Sequence, residues 1–75
     1  MKIKMDPKES KNDIALAYRT LGDMEMEKGN YHKAVEAFEK SMQFRLGNPG
    51  LYSKIGNCYL ELGREKKANL YFQRV

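Results

Sequence analysis

Seventy-five residues, 41% of them hydrophobic and with a mean hydropathy of −0.76, suffice for one small domain with a modest core. No apolar run nears the roughly 20 residues that cross a bilayer, the single cysteine, Cys58, excludes an internal disulfide framework, and Met1-Lys2-Ile3-Lys4-Met5-Asp6 lacks the apolar stretch of a secretory signal. The net charge of +4 is uneven: residues 1–14 contribute +1 (four lysines, three carboxylates), 15–63 cancel, and 64–75 contribute +3 (four cations against Glu65).

Residues 1–14 read as a flexible or partly helical lead, with residues 1–5 disordered. Asp6-Pro7-Lys8-Glu9 offers an N-cap, a proline at the first helical position and a glutamate two residues on. Asn12-Asp13 offers a second cap, so the start of the first helix stays open between the two. From Ile14 to about Lys28, apolar Ile14, Ala17, Tyr18, Leu21 and Met24 fall at helical spacing. Gly29-Asn30 stops that helix, because glycine tolerates the left-handed turn beyond a helix end. Tyr31 to Phe44 forms a second helix, with Ala34, Val35, Ala37, Phe38, Ser41 and Met42 on one stripe. Leu46-Gly47-Asn48-Pro49-Gly50 breaks the chain, Leu51 to Leu62 makes a third helix closed by Gly63, and Glu65 to Val75 makes a fourth. The period-2 alternation of a strand never lasts beyond a few residues. The fold class is therefore all-α, a helix–turn–helix occurring twice, with short connections that force antiparallel neighbours.

The two halves match at a spacing of 34 residues. Tyr18 recurs as Tyr52, Gly22 as Gly56, Gly29 as Gly63, Ala34 as Ala68 and Phe38 as Phe72. Glu27/Glu61 and Lys33/Lys67 keep the same register, and Leu21/Ile55 is an apolar match. A fixed period of this size marks a unit that cannot bury its own apolar face and stacks on copies of itself.

Tyr18-x-x-Leu21-Gly22, Gly29-x-Tyr31, Ala34 and Phe38, followed by Tyr52-x-x-Ile55-Gly56-x-x-Tyr59, Gly63, Ala68 and Phe72, resemble the tetratricopeptide repeat pattern. The resemblance implies one repeat over 15–48 and a second, truncated one over 49–75, stacked as two antiparallel helical hairpins with a right-handed superhelical sense. It places Gly22 and Gly56 at the closest approach of paired helices, opposite Ala34 and Ala68, with Tyr18, Tyr52, Phe38 and Phe72 filling the space between stacked units. Glu25 departs from the pattern where a large aromatic is usual, Asn69 takes the slot that Val35 fills, and the closing proline is late, at Pro49.

In such repeats the first helix of each pair lines a concave groove for extended peptides or partner helices. Carried over by position, that groove presents Leu16, Arg19, Asp23, Met26 and Glu27, then Ser53, Asn57, Leu60 and Glu61. Known acidic-tail clamps of the family need cations and amides there. Arg19 and Asn57 meet two of those positions, Asp23 carries the wrong charge and Ser53 carries none. With Asp23, Glu27 and Glu61 against Arg19, the groove is expected to prefer neutral or basic peptides. His32 and Cys58 sit on different helices with nothing to orient the histidine, and a lone histidine makes no zinc set, so neither catalysis, a metal nor a cofactor is expected.

The expected function is non-catalytic protein–protein recognition in the cytoplasm, without a membrane. Two alternatives stand beside it. One is self-assembly through Leu70, Tyr71, Phe72 and Val75 on the last helix, as a two-fold dimer burying the same patch twice, or by exchange of a hairpin about Gly47–Gly50. The other is nucleic-acid binding through Arg64, Lys66, Lys67 and Arg74, set against the ordinary preference of a helix end for cations.

Overall fold

The computed structural model describes residues 7–45 and 49–74. The expected disorder of residues 1–5, the Leu46-Gly47-Asn48 part of the breaker and Val75 lie outside the described residues. Four helices follow in order: α1 Pro7–Glu27, α2 Tyr31–Phe44, α3 Pro49–Glu61 and α4 Glu65–Phe72. Proline opens both α1 and α3, where its missing N–H has no intrahelical partner to lose. α1 starts at the earlier of its two candidate sites and runs straight through Asn12-Asp13, so the second half of the lead is helical. α4 stops at Phe72, short of the Val75 expected from sequence, in a turn where Gln73 N–H donates to Asn69 O at 3.0 Å.

The ends of α1 and α3 are built alike. Gly29 and Gly63 adopt φ of 80° and 74°, a left-handed conformation that costs other residues roughly 1–2 kcal/mol. Asn30 N–H then donates to Glu25 O at 2.8 Å and Gly29 N–H to Met26 O at 3.0 Å. Thirty-four residues on, Arg64 N–H donates to Tyr59 O at 2.8 Å and Gly63 N–H to Leu60 O at 3.0 Å. Each turn reverses the chain within three residues, so α2 returns along α1 and α4 along α3.

α1 packs on α2, α2 on α3, and α3 on α4. The core joins Ala34, Val35 and Phe38 of α2 to Leu51, Ile55 and Cys58 of α3, flanked by Met26, Tyr31, Met42, Tyr59 and Tyr71. Within each pair a ring lies on a glycine. A Cβ at Gly22 would sit 2.5 Å from the Phe38 ring, and one at Gly56 would sit 2.5 Å from the Phe72 ring. The expectation that Phe38 and Phe72 fill the space between stacked units needs this correction: each ring first fills the gap inside its own pair. Ala34 and Ala68 are nonetheless fully buried beside them.

The same register shows a strong asymmetry. Leu51, Ile55 and Cys58 on α3 are buried, whereas their counterparts 34 residues earlier, Ala17, Leu21 and Met24, are exposed. α3 has α2 across that face, and no described residue covers the matching face of α1. The apolar stripe legible in α1 is thus largely an outer surface, and α1 buries Ala15, Gly22 and Glu25 instead.

Candidate functional site

The nine groove positions divide by exposure. Leu16, Glu27, Asn57, Leu60 and Glu61 are exposed, while Arg19, Asp23, Met26 and Ser53 are half-buried. Two of the half-buried four have internal partners. Lys54 Nζ of α3 donates to Asp23 Oδ1 of α1 at 2.7 Å, clipping the two helices together and matching the Asp23 charge. Met26 packs on the core.

Leu16 and Arg19 share an open hollow of about 200 Å³ where α1, α2 and α3 meet, with Asn12, Arg45 and Leu51 around it. Its floor is fixed by Ser41, buried in α2, whose Oγ donates to Ala15 O at 2.7 Å. The other seven groove residues do not line this hollow. Arg45, Asn12 and Lys54 were missed by the sequence reading. The repeat pattern draws attention to inner positions of the first helices, whereas Arg45 follows the end of α2 and Lys54 pairs across helices.

Charge along this face is polarised. Arg19 and Arg45 stand at the hollow, and Glu27 and Glu61 terminate α1 and α3. Eight residues separate Arg19 from Glu27, about 12 Å along a helix axis. A carboxylate in the last turn opposes the helix dipole, and neither α1 nor α3 has a cation there to compensate.

The last helix presents less than its composition suggests. Leu70 is 59% exposed, but Phe72 is half-buried on Gly56 and Tyr71 belongs to an aromatic cluster. Tyr71 lies 5.7 Å from Tyr59 and 6.2 Å from Tyr52, centroid to centroid. The Tyr59 and Tyr71 hydroxyls both point at Glu39 Oε1 of α2, each at a long 3.4 Å. Burial first, and the Glu39 carboxylate second, push both phenols above the usual tyrosine value. Arg74 lies over the Tyr52 and Tyr71 rings and Lys67 over Tyr59, at 5.4–5.7 Å. Two of the four C-terminal cations are therefore engaged with aromatic faces.

Cys58 is fully buried, and burial, with lesser contributions from the charges of Asp23 and Glu61, pushes its thiol from 9.0 to about 11. At neutral pH it is a thiol in the core, not a nucleophilic thiolate. His32 is exposed in the first turn of α2. Among the described residues no three His, Cys, Asp or Glu side chains gather at metal-binding distance, and no helix is long and apolar enough to cross a membrane.

A family model described as a tetratricopeptide repeat matches residues 13–75, which takes in α2, α3, α4 and most of α1. No curated protein matches the chain significantly, and no solved structure does.

Proposed function

The chain belongs to the tetratricopeptide repeat family, and on that premise we propose that it is a non-catalytic module that recognises a protein partner along the face of α1 and α3. Repeats of this family generally mediate protein–protein interaction. The two repeats are assigned to 15–48 and 49–75, with α1 reaching upstream of the first. The partner segment is a peptide or helix that contacts Leu16 and Leu60 with apolar groups and sets a basic residue against Glu27 and Glu61. Near Arg19 and Arg45 it carries a neutral or acidic group.

The observation that carries this reading is the repeated placement of Glu27 and Glu61 at the C-terminal ends of α1 and α3. Each opposes a helix dipole at a cost of roughly 0.3–1 kcal/mol, a placement that folding alone does not favour and that a cationic ligand offsets. Panning a displayed peptide library against the chain tests it. Selected peptides should carry a lysine or arginine at one end, and Glu27→Lys with Glu61→Lys should invert that preference. Enrichment of wholly acidic tails by the unmodified chain, or an unchanged selection with the double variant, would sink the assignment.

A second reading, self-association through α4, is favoured by its likeness to α2: Ala68 and Phe72 stand at the places of Ala34 and Phe38, and Asn69, at the place of Val35, is exposed. Both readings set the chain in the cytoplasm, where a free buried thiol such as Cys58 stays reduced.

A further inference from the structure

We infer that the uncovered face of α1 and α2 receives α4 of a second copy of this chain, head to tail, in the way that α3 and α4 receive α2 within one copy. The inference rests on the self-association reading and names the surface that α4 meets.

The occupied interface supplies the template. On α3, Leu51, Ile55 and Cys58 are buried under α2, and Glu39 reaches past them to the hydroxyls of Tyr59 and Tyr71. Thirty-four residues earlier the chain repeats this surface, with no occupant among the described residues. Tyr18, Leu21 and Glu25 of α1, with Ala37 and two lysines, Lys33 and Lys40, of α2, line an open hollow of about 310 Å³. Its construction matches at Tyr18/Tyr52, Leu21/Ile55, Lys33/Lys67 and Lys40/Arg74. Lys40 Nζ lies 5.7 Å from the Tyr18 ring centroid, as Arg74 lies 5.7 Å from that of Tyr52, and 18/52 and 40/74 are both register pairs. The hollow is thus formed before anything enters it. Leu21 at 45% exposure and Met24 at 49% leave apolar area open beside it.

The helix that fits such a surface is a copy of α2, and α4 is that copy, with Ala68 at the place of Ala34 and Phe72 at the place of Phe38. Polar groups single out α4 more sharply. Inside the chain the acceptor Glu39 meets the donor Tyr59. Across copies the register sets Gln73, at the place of Glu39, against Glu25, at the place of Tyr59. The two roles are exchanged together: an amide donor now approaches a carboxylate acceptor. Glu25 is only 9% exposed, and its carboxylate takes part in an Asn30 amide hydrogen bond at 3.3 Å and a Lys28 contact at 3.8 Å. These hold it in place with oxygen lone pairs to spare.

Asn69 stands where Val35 stands inside the chain, so the contact between copies is the weaker of the two. A partly polar contact of this kind belongs with the transient ones. A head-to-tail contact leaves one receiving and one donating face free at each step. Association therefore continues into short chains instead of stopping at a pair.

Sedimentation velocity of the full chain, across a dilution series into the millimolar range, tests the inference, with circular dichroism checking that each variant stays helical. The weight-average mass should rise steadily with concentration. Leu21→Glu, which blocks the receiving face, and Asn69→Glu, which blocks the donating face, should each remain monomeric. An equimolar mixture of the two should form a heterodimer and stop there. Gln73→Glu, which turns a carboxylate towards Glu25, should weaken association at least tenfold, and adding Glu25→Gln should restore it. Leu70→Lys should have little effect, since the register equivalent of Leu70, Glu36, borders the receiving hollow. A monomer at every concentration overturns the inference. So does association by Leu21→Glu equal to that of the unmodified chain, or loss of association with Leu70→Lys alone, which marks a two-fold contact centred on Leu70. Peptide selection by the α1–α3 face should be unchanged in Leu21→Glu, so failure of one reading does not touch the other.

Discussion

Gly22→Ala and Gly56→Ala are the same substitution at register-equivalent sites, yet they should have different costs. In both, the new Cβ would lie 2.5 Å from a phenylalanine ring, closer than real contacts allow, so the ring must move. Phe38, opposite Gly22, is fully buried between α1 and α3, and its displacement disturbs Val35 and Ile55 in the same cluster. Phe72, opposite Gly56, is half-buried on the last helix and can swing outward. Overpacking a filled core costs typically 1–3 kcal/mol, whereas glycine to alanine inside a helix returns roughly 0.8–1 kcal/mol of propensity. Gly22→Ala should therefore lose up to about 2 kcal/mol net, and Gly56→Ala should be within about 0.5 kcal/mol of neutral. For a domain of this size each kcal/mol moves Tm by roughly 4–8 °C. Thermal unfolding followed at 222 nm reads both, and Phe38→Leu in the Gly22→Ala background should recover part of the loss. A rise in Tm with Gly22→Ala, as in an exposed helix, would refute the packing argument.

Raising the pH should destabilise the chain in a defined window. The Cys58 thiol is raised from 9.0 to about 11 and the Tyr59 and Tyr71 phenols are raised above 10, so the folded state holds protons that the unfolded state has released. Their contribution is complete below about pH 9 and is lost progressively above it. The urea midpoint should fall between pH 8 and pH 10.5, and Cys58→Ala with Tyr71→Phe should flatten that fall; an equally steep fall in the double variant would count against these groups. Ser41→Ala removes the hydroxyl that donates to Ala15 O at 2.7 Å and should cost about 0.5–1.5 kcal/mol in denaturant titration. Lys54→Ala breaks a partly exposed ion pair and should cost only about 0.2–1 kcal/mol. It also frees the Asp23 carboxylate, so cationic peptides should associate faster in stopped-flow mixing, and an unchanged rate would show that Asp23 lies off the ligand path.

Helix positions were legible because the signals that stop a helix are local. Gly29 and Gly63 announce their left-handed turns whatever surrounds them. The 34-residue register then paired the helices, and Ala34, Phe38 and Ile55 fell in the core as their spacing implied. What covers each apolar stripe was not legible. Periodicity gave Leu21 and Ile55 the same standing, and only the packing of α2 separates an exposed Leu21 from a fully buried Ile55. Of the residues that α1 buries, Gly22 was placed by the repeat pattern, whereas a small Ala15 and a charged Glu25 do not look like core. Around the hollow of the proposed recognition face, Leu16 and Arg19 follow from repeat position, whereas the Lys54 partner of Asp23 and the Arg45 that shares the hollow with Arg19 come from other helices. A contact across helices leaves no mark at any fixed spacing.

Among the described residues each helix packs chiefly on its neighbours in sequence, so the contacts are shared out along the chain. Pulled from its ends, such a chain would not resist and then snap. α4, eight residues long and resting mainly on α3, would peel first by lifting Phe72 off Gly56, with α3 and then α2 following at successive small forces. Let go, it would rewind in reverse order through contacts between neighbouring helices. An arrangement of this kind would act as a soft, recoverable spring, giving under load without surrendering its whole structure.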